Sequence, residues 1–338
     1  MSPRIALAST LRDAGAVLDS FIRYHRAIGF DHLFLFFDDP EDPAIDTARA
    51  YAGVSAIPRD DRLRQRWASS GLVAASFAEA EVMARQVLNL EVAIGLALDQ
   101  HIDWLLHIDG DELFYAPHQS VKEHFASLTA RNVPGMTYAN YEAVPEQVDI
   151  VDFFKEATLF KKTGSGEIME GFNDRQRALA KTFPQISYRF FHFYKNGKSA
   201  ARVQAGLLPG GVHRFWSPAG KLVAAGPDAP LILHYPCCGF TPFWNKFITL
   251  ERVYAQGRET WWGKDVTQRL GLFYSNARDV VRRRDEQEAR AFYRDRYVIS
   301  DEAGIEALIE NGLCCRIRGP ARLLATNLQG EYRPDQSA

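Results

Sequence analysis

The stretch Trp104-Leu105-Leu106-His107-Ile108-Asp109-Gly110-Asp111-Glu112 decides the fold class and the candidate site. Its first five residues are mostly apolar, as expected of a strand buried on both faces. Asp109 and Asp111 follow at once, so two carboxylates stand at the carboxyl end of that strand. In an open α/β sheet, ligands bind outside the carboxyl ends of the strands. The stretch therefore predicts a ligand site at the end of a central strand.

The chemistry of these carboxylates favours a divalent ion and a phosphate group. Mg²⁺ and Mn²⁺ prefer carboxylate and phosphate oxygens, so Asp109 and Asp111 are candidate metal ligands and a nucleotide diphosphate is the expected ligand. Asp-x-Asp is a short motif, and a solvated acidic loop is the open alternative. Glu112 either orients this pair or only packs beside it.

The sequence before and after this stretch predicts a parallel sheet covered by helices. Three other apolar runs predict strands: 5–8, 32–37 and 54–57. Apolar spacing predicts helices over 14–28 and 79–99, the second with a stripe of Met83, Val87, Leu90, Ile94 and Leu98. Ser120 and Glu123 have capping-box spacing at the start of a helix that runs to about residue 130. Such alternation of strands and helices is typical of nucleotide-binding sheets.

The pattern changes after residue 130. Further runs predict strands that read as antiparallel: 135–141, 157–161, 186–203 and 231–235. Asn196-Gly197 predicts a tight hairpin between 191–194 and 199–202, and the chain beyond 241 is predicted to be mostly helical. We expect one compact domain over 1–240, divided into a nucleotide-binding half (1–130) and an acceptor half (131–240), with a helical region over 241–338 packed on it.

Composition excludes several classes of protein. The 338 residues are 46% hydrophobic and 24% charged with a formal net charge of −2, which is typical of a globular protein and gives no overall attraction to nucleic acid. The apolar run at the start is too short for a signal peptide, and no stretch is long enough to span a bilayer, so a cytoplasmic protein is expected. The pairs Cys237-Cys238 and Cys314-Cys315 lack zinc-site or disulfide-framework spacing, which predicts buried thiols.

The order of these residues resembles the family 2 and family 92 glycosyltransferases. The likeness runs over roughly residues 4–250, which is far more specific than any one motif. The residues that carry it are Tyr24-His25-Arg26-Ala27-Ile28-Gly29-Phe30-Asp31-His32, Asp38-Asp39, Gln86, the stretch 104–112, Gly197-Lys198-Ser199-Ala200-Ala201-Arg202, Gly211-Val212-His213, Leu233-His234-Tyr235 and Lys246. One departure concerns the end of the first strand, where the family usually has Asn-Glu and this chain has Arg12-Asp13.

The resemblance implies a GT-A fold, which is a Rossmann-like mixed sheet covered by helices, here with a helical C-terminal appendage. It implies a hexosyltransferase-like enzyme that moves a sugar from a nucleotide-diphosphate sugar to a hydroxyl of a glycan or polysaccharide precursor, with inversion favoured. It further implies Mn²⁺ or Mg²⁺ between the diphosphate and Asp109 and Asp111, with His234 reaching the metal or the diphosphate. Implied donor contacts are Asp13, Asp38, Asp39, Asp109, Lys198, Arg202, His213 and Lys246.

Several of these roles have structural alternatives. Direct displacement needs a general base, for which Asp174 and Glu142 are candidates, although either is equally a surface acid. The aromatic segments 240–244 and 260–263 suit sugar stacking or core packing. The arginine-rich stretch 278–296 suits peripheral contact with an anionic membrane at its inner face, or a solvated helix with acidic partners.

Two other functions compete with sugar transfer. A metal-dependent nucleotidyltransferase or nucleotide-sugar hydrolase would use a similar sheet, but the segment Ser9-Thr10-Leu11-Arg12-Asp13 lacks the glycines of a pyrophosphorylase loop. A non-catalytic sugar-binding protein on the same fold is the second rival, and the Arg12-Asp13 departure is its main support.

Overall fold

A computed structural model describes residues 2–73, 75–79, 81–162, 174–187, 196–255 and 272–326. The chain divides into two compact units. The first comprises Met1–Ala139, Asn196–Ile232 and Arg322–Ala338, and the second comprises Asn140–Lys195 and Leu233–Ala321. The predicted fold class, α/β with a mixed sheet covered by helices, is confirmed. The predicted division at residue 240 stays a prediction.

The elements are numbered in chain order. The strands are β1 Ile5–Leu11, β2 His32–Phe37, β3 Val54–Pro58, β4 Trp104–His107, β5 Glu112–Tyr115, β6 Gly135–Tyr138, β7 Asn140–Val144, β8 Leu159–Lys161, β9 Lys198–Arg202, β10 Leu208–Pro209, β11 Phe215–Trp216, β12 Val223–Ala224, β13 Leu231–His234 and β14 Cys314–Arg316. The helices are α1 Leu18–Ala27, α2 Ala44–Arg49, α3 Asp61–Ala68, α4 Ala75–Ala78, α5 Val82–Asp99, α6 Val121–Ala130, α7 Phe153–Glu156, α8 Asp174–Thr182, α9 Pro184–Ser187, α10 Phe240–Ala255, α11 Leu272–Arg282, α12 Glu286–Arg296, α13 Glu302–Glu310 and α14 Gly319–Ala325.

The first unit contains a seven-stranded sheet in the order β12-β6-β9-β4-β1-β2-β3. Strands β4, β1, β2 and β3 are parallel, and β9 runs antiparallel between β4 and β6. The central strands β1, β2 and β4 are almost entirely buried, as their continuous apolar sequences predict.

This topology brings five strand ends to one edge. The parallel strands β1, β2, β3 and β4 all finish there. The antiparallel strand β9 begins there, because His107 at the end of β4 pairs with Ser199 near the start of β9. Side chains at or just beyond these five ends therefore meet at the carboxyl edge of the parallel strands.

The helices of the first unit agree with the sequence in part. Helix α6 begins with the predicted capping box between Ser120 and Glu123. Helix α5 begins at Val82 rather than 79, and the end of its predicted stripe is wrong because Leu98 is 39% exposed. Helix α1 begins at Leu18, four residues later than predicted, and α2 and α3 were not predicted.

The second unit contains the antiparallel ladder β14-β8-β7, with β13 next to β7. Two apolar clusters form its core, one around Leu159 and Ile299 and one around Phe243 and Tyr293. The predicted helical character after 241 is confirmed by α10 to α14, although strand β14 interrupts it. The strand region predicted over 186–203 is wrong at its start, because residue 186 lies in helix α9, and its second strand is present as β9. The hairpin strand 191–194 and the aromatic segment 260–263 lie outside the described residues.

Two smaller expectations concern the whole chain. All four cysteines are free thiols, and three of them are buried, which confirms that prediction. None of the described helices combines the length and the apolar character needed to cross a membrane.

Candidate active site

Asp109 is held from three sides in a tight turn between β4 and β5. Its Oδ1 accepts a hydrogen bond from Gln86 Nε2 on α5 at 2.6 Å, and its Oδ2 accepts one from Lys198 Nζ on β9 at 2.7 Å. The Asp109 backbone N–H donates to Glu112 Oε2 at 2.8 Å. Glu112 is fully buried in β5, so it orients the turn. Asp109, the carboxylate predicted at this strand end, is thus held in a fixed position.

Lys198 is the cation of this turn. Its side chain is 0% exposed, and Nζ lies 3.7 Å from Glu112 Oε2 and donates to the Val212 carbonyl at 3.3 Å. Burial lowers the pKa of Lys198, but Asp109 and Glu112 outweigh burial and the net shift is upward. Burial likewise opposes ionisation of Asp109, yet Lys198 shifts the pKa of that carboxyl below its ordinary value. The pair is therefore ionised throughout the neutral range.

The turn of the β10–β11 hairpin is tied to the start of β9. His213 Nδ1 lies 2.9 Å from the Gly197 carbonyl oxygen, and Ser199 Oγ donates to the His213 carbonyl at 2.8 Å. Lys198 also bonds to the Val212 carbonyl, so the consecutive residues Gly197, Lys198 and Ser199 all hold the hairpin turn. The motifs 197–202 and 211–213, separated in sequence, are brought together here.

Arg202 is not brought to this place. It ends β9 and pairs in register with Trp104, the first residue of β4. Its Nη1 donates to Asn132 Oδ1 at 2.9 Å. Arg202 therefore lies at the opposite end of β4 from Asp109, because β9 is antiparallel to β4.

Asp38, at the end of β2, is paired with a buried arginine. Arg85 Nη2 on α5 donates to Asp38 Oδ2 at 2.9 Å, and Arg85 Nε contacts Oδ1. Arg12 Nη1, at the end of β1, lies 3.5 Å from Oδ2. Burial, only partly offset by Asp38, lowers the pKa of Arg85. The carboxylate predicted to hold a ribose is thus already in contact with two guanidinium groups.

The two acids beside this group are more open. Asp13 has a left-handed backbone with φ 52°, and its side chain is 63% exposed. A non-glycine residue in that region is uncommon and is often found at functional sites. Asp39 Oδ1 accepts from the Glu41 backbone N–H at 3.0 Å in the following loop. Both stay predicted donor contacts.

Sequence reasoning missed Arg85, which is 4% exposed. Consecutive residues of α5 reach two strand ends, since Arg85 contacts Asp38 and Gln86 contacts Asp109. One turn later, Asn89 Nδ2 donates to Thr10 Oγ1 on β1 at 2.9 Å. The available signal was a pair of polar residues, Arg85 and Asn89, four positions apart beside the apolar stripe.

The second unit contains the remaining predicted residues. His234 Nδ1 lies 3.4 Å from Glu142 Oε1, both side chains are buried, and Lys161 faces Glu142 in the β7–β8 register. Lys246 lies on α10, and Asp174 is the first residue of α8, although its side chain lies outside the described part. Asp109, Lys198 and His213 meet in the first unit, whereas Glu142 and His234 meet in the second. The roles predicted for these residues stay predictions.

The observed contacts of Asp109 do not fit direct metal coordination. Each of its oxygens already accepts a hydrogen bond, one from Gln86 and one from a lysine ammonium, and a divalent ion on this carboxylate would meet like-charge repulsion from Lys198. Among the described residues, no group of three or more His, Cys, Asp or Glu side chains is arranged to hold a metal ion.

No family model matches the chain. It is similar to two Arabidopsis thaliana proteins named glycosyltransferase-like. One is 28% identical over 95% of this chain and 71% of its own length, and the other is 25% identical over 95% of this chain and 63% of its own length. Of solved structures, core-mannan synthase A of Aspergillus fumigatus in its Mn/GDP form is 13% identical over 43% of this chain and 44% of that protein, with a TM-score of 0.28. A TM-score of that size is too low to establish a shared fold. The informative comparison is the sequence similarity to the two plant proteins, which covers nearly the whole chain.

Proposed function

We propose that this chain is a glycosyltransferase that moves a sugar from a nucleotide-diphosphate sugar to a hydroxyl of a glycan or polysaccharide precursor. The observation that carries the proposal is Asp109, fixed between Gln86 and Lys198 at the carboxyl edge of a parallel sheet. Similarity to glycosyltransferase-like proteins over 95% of the chain supports the same class of reaction.

The proposed role of Asp109 is to orient the donor. An ionised carboxylate has about four lone-pair sites, so Asp109 keeps acceptor capacity beside its bonds to Gln86 and Lys198. A donor hydroxyl bound there meets a rigid partner, because Lys198 is buried and cannot swing away. Rigid positioning of the reacting sugar is what a displacement needs most. Inversion, and Glu142 or Asp174 as the base, stay predictions, as does the requirement for Mn²⁺ or Mg²⁺.

Turnover of nucleotide sugars by Asp109→Asn tests the proposal. Release of nucleoside diphosphate is measured with UDP-, GDP-, CDP- and dTDP-sugars, each with Mn²⁺, with Mg²⁺ and with EDTA. We expect wild type to turn over one donor class, and Asp109→Asn and Asp111→Asn to lose at least about 100-fold, as expected for a lost group that acts in the transition state. Asp46→Asn, on the exposed surface of α2, is the matched control and should retain wild-type activity.

The products separate the rival functions. A nucleotidyltransferase would release pyrophosphate only from a nucleoside triphosphate and a sugar phosphate, and a hydrolase would release free sugar or sugar phosphate from the nucleotide sugar without an acceptor. A glycosyltransferase forms a glycosidic bond whose yield depends on acceptor concentration. Full activity of a folded Asp109→Asn protein, checked by circular dichroism, would overturn the proposal, whereas donor binding without turnover would favour the sugar-binding protein.

A further inference from the structure

Two guanidinium groups contact one carboxylate at the carboxyl edge of β1, β2 and β3, and a third arginine follows the end of β3. Asp38 is 6% exposed, and Arg85, which pairs with it through both oxygens, is 4% exposed. One arginine is enough to neutralise that aspartate. Arg12, 3.5 Å from Asp38, and Arg59, whose charge acts on Arg85, add two further cations beside this pair.

The backbone fixes this arrangement. The Asp38 N–H donates to the Leu11 carbonyl at 2.9 Å, and the Arg59 N–H donates to the Phe37 carbonyl at 3.0 Å. Arg12, Asp38 and Arg59 therefore follow three adjacent strand ends side by side, about 5 Å from one strand to the next. The backbone of the sheet therefore holds Arg12 and Arg59 on either side of Asp38, whatever rotamers their side chains adopt.

Arg12 and Arg59 are less completely paired than the arginines of an ordinary ion-pair network. Arg12 is 44% exposed and bonds only weakly to Asp38, and its other acidic neighbour, Asp13, lies 3.9 Å away and is itself exposed. Among the described residues, the buried Nε of Arg59 has no hydrogen-bond partner. Burial lowers the pKa of Arg85, and the charges of Arg59 and Arg12 act in the same direction, so each of them repels the Arg85 guanidinium. Such repulsion is relieved when an anion binds.

The acidic motif lies directly against this group. A Cβ placed on Gly110 would come within 2.7 Å of Leu11 Cδ2, so the Asp109-Gly110-Asp111 turn packs on the residue before Arg12. Strands β1 and β4 are neighbours, so Arg12 and Asp109 follow adjacent strand ends. The diphosphate is the group of a nucleotide sugar that an arginine at this position would bind.

We propose that Arg12 and Arg59 form the phosphate-binding part of the donor site, so that guanidinium groups neutralise the diphosphate at the end of β1 and β3. The inference rests on the proposed function, and it assigns a role to Arg12, where this chain departs from the Asn-Glu pattern. Planar guanidinium groups suit phosphate oxygens because they donate two parallel hydrogen bonds. Arg85 is the positioning residue, since it makes the shortest contacts with Asp38 and so reduces the hold of that carboxylate on Arg12.

Calorimetric titration in EDTA tests this assignment with wild type, Arg12→Gln, Arg59→Gln and Arg12→Lys. The probes are UDP, GDP, CDP and dTDP, the matching nucleosides, and inorganic pyrophosphate. We expect wild type to bind one diphosphate and pyrophosphate, and each Gln variant to weaken both by about tenfold, with Arg12→Lys in between. Nucleoside binding should not change, and the affinity of the Gln variants should fall less steeply with salt. Arg49→Gln, an exposed arginine of α2 that pairs with Asp46, is the control.

Three binding results would overturn the assignment. The first is diphosphate and pyrophosphate binding by Arg12→Gln and Arg59→Gln that equals wild type, and the second is no binding of either probe by wild type. The third is an equal loss of nucleoside binding, which would place these arginines against the base or ribose. Sugar transfer that survives in both variants refutes the phosphate site and leaves the proposed function standing. Arginine-dependent pyrophosphate binding without sugar transfer does the reverse.

Discussion

Lys198 is the residue on which the geometry of the candidate site depends most. It is the cation shared by Asp109 and Glu112, and it also bonds to the turn of the β10–β11 hairpin. A buried ion pair adds little net stability by itself, but removing one partner leaves an uncompensated buried charge. Substituting Lys198 should therefore lower the free energy of unfolding by more than the net contribution of the Lys198–Asp109 ion pair.

Replacing Lys198 by Gln should destabilise the protein by about 3–5 kcal/mol, because Asp109 and Glu112 lose their cation. Urea unfolding at pH 7 measures this, and Lys221→Gln, on an exposed loop of the same unit, should change the free energy of unfolding by less than about 0.5 kcal/mol. Adding Asp109→Asn to Lys198→Gln should recover part of the loss. A Lys198→Gln protein as stable as wild type would contradict this account.

His25 is a buried histidine with a fixed tautomer. Its Nδ1 lies 2.9 Å from the Phe21 carbonyl oxygen and so carries the proton, while Nε2 accepts from the Phe114 N–H at 3.3 Å. Burial lowers the pKa of His25 from 6.5 to about 3. A second proton would have to point at an N–H donor, so the folded protein resists protonation.

This histidine should make the protein less stable as the pH falls. The unfolded chain binds a proton at about pH 6.5 and the folded chain only near pH 3, so stability is full above 6.5 and is lost between these values. One such histidine lowers the free energy of unfolding by about 2 kcal/mol at pH 5 relative to pH 8. His107 and His124 act in the same direction, with pKa values of about 3 and 4. Chemical unfolding at pH 8 and pH 5 should show a smaller difference for His25→Gln than for wild type, and an unchanged difference would contradict the assignment.

At the scale of elements, β9 joins the parallel strands β1 to β4 to strands β6 and β12 of the first sheet. It pairs antiparallel with both β4 and β6, and its first residue is Lys198. Gly197 precedes it with φ 62°, and a Cβ there would lie 1.8 Å from the Tyr138 carbonyl oxygen. Only glycine fits where the chain enters this strand.

Gly197→Ala should therefore misplace Lys198 and disrupt the pairing of β9 with β6. We expect a loss of more than about 3 kcal/mol, since strain at positive φ is joined by a steric overlap with backbone. Gly211→Ala is a matched control, because Gly211 also has a positive φ, of 91°, but a Cβ there meets nothing within 4 Å. That variant should lose only about 1 kcal/mol. Equal thermal stability of the two variants would rule out the overlap as the cause.

The sequence predicted the strand ends better than their partners. Asp38 and Asp109 were placed correctly because continuous apolar runs mark buried strands regardless of which elements pack on them. The contact between Asp109 and Lys198 spans 89 residues, and no local pattern reports such a distance. Arg85 was missed because a charged helix residue is usually solvated, and only the fold shows a buried carboxylate facing it.

At the scale of the whole molecule, the formal net charge is −2 and gives no strong overall field. In the arginine-rich stretch, four arginines of α11, α12 and the loop between them have acidic partners. Arg282 lies 3.7 Å from Asp279 and Arg294 lies 2.8 Å from Asp295, while Arg283 pairs with Glu288 and Arg290 with Asp149. This agrees with the solvated-helix alternative for the arginine-rich stretch.

We therefore expect no binding to anionic vesicles at physiological salt, where exposed charges are screened beyond about 8 Å. Co-sedimentation with phosphatidylserine vesicles measures this, with neutral vesicles as the control. Binding that is lost in an Arg282→Gln, Arg283→Gln protein would restore the membrane interpretation.

The adjacency of Arg85 and Gln86 on α5 has a consequence for how related sequences can diverge. One helical turn fixes two acidic strand ends at once, and each residue inserted into a helix rotates the rest of that helix by about 100°. A single residue inserted or deleted within α5 between Gln86 and the buried Leu90 would turn both side chains away from Asp38 and Asp109 together. Homologues that keep both contacts should differ there by substitution, and length changes should accumulate elsewhere in the chain.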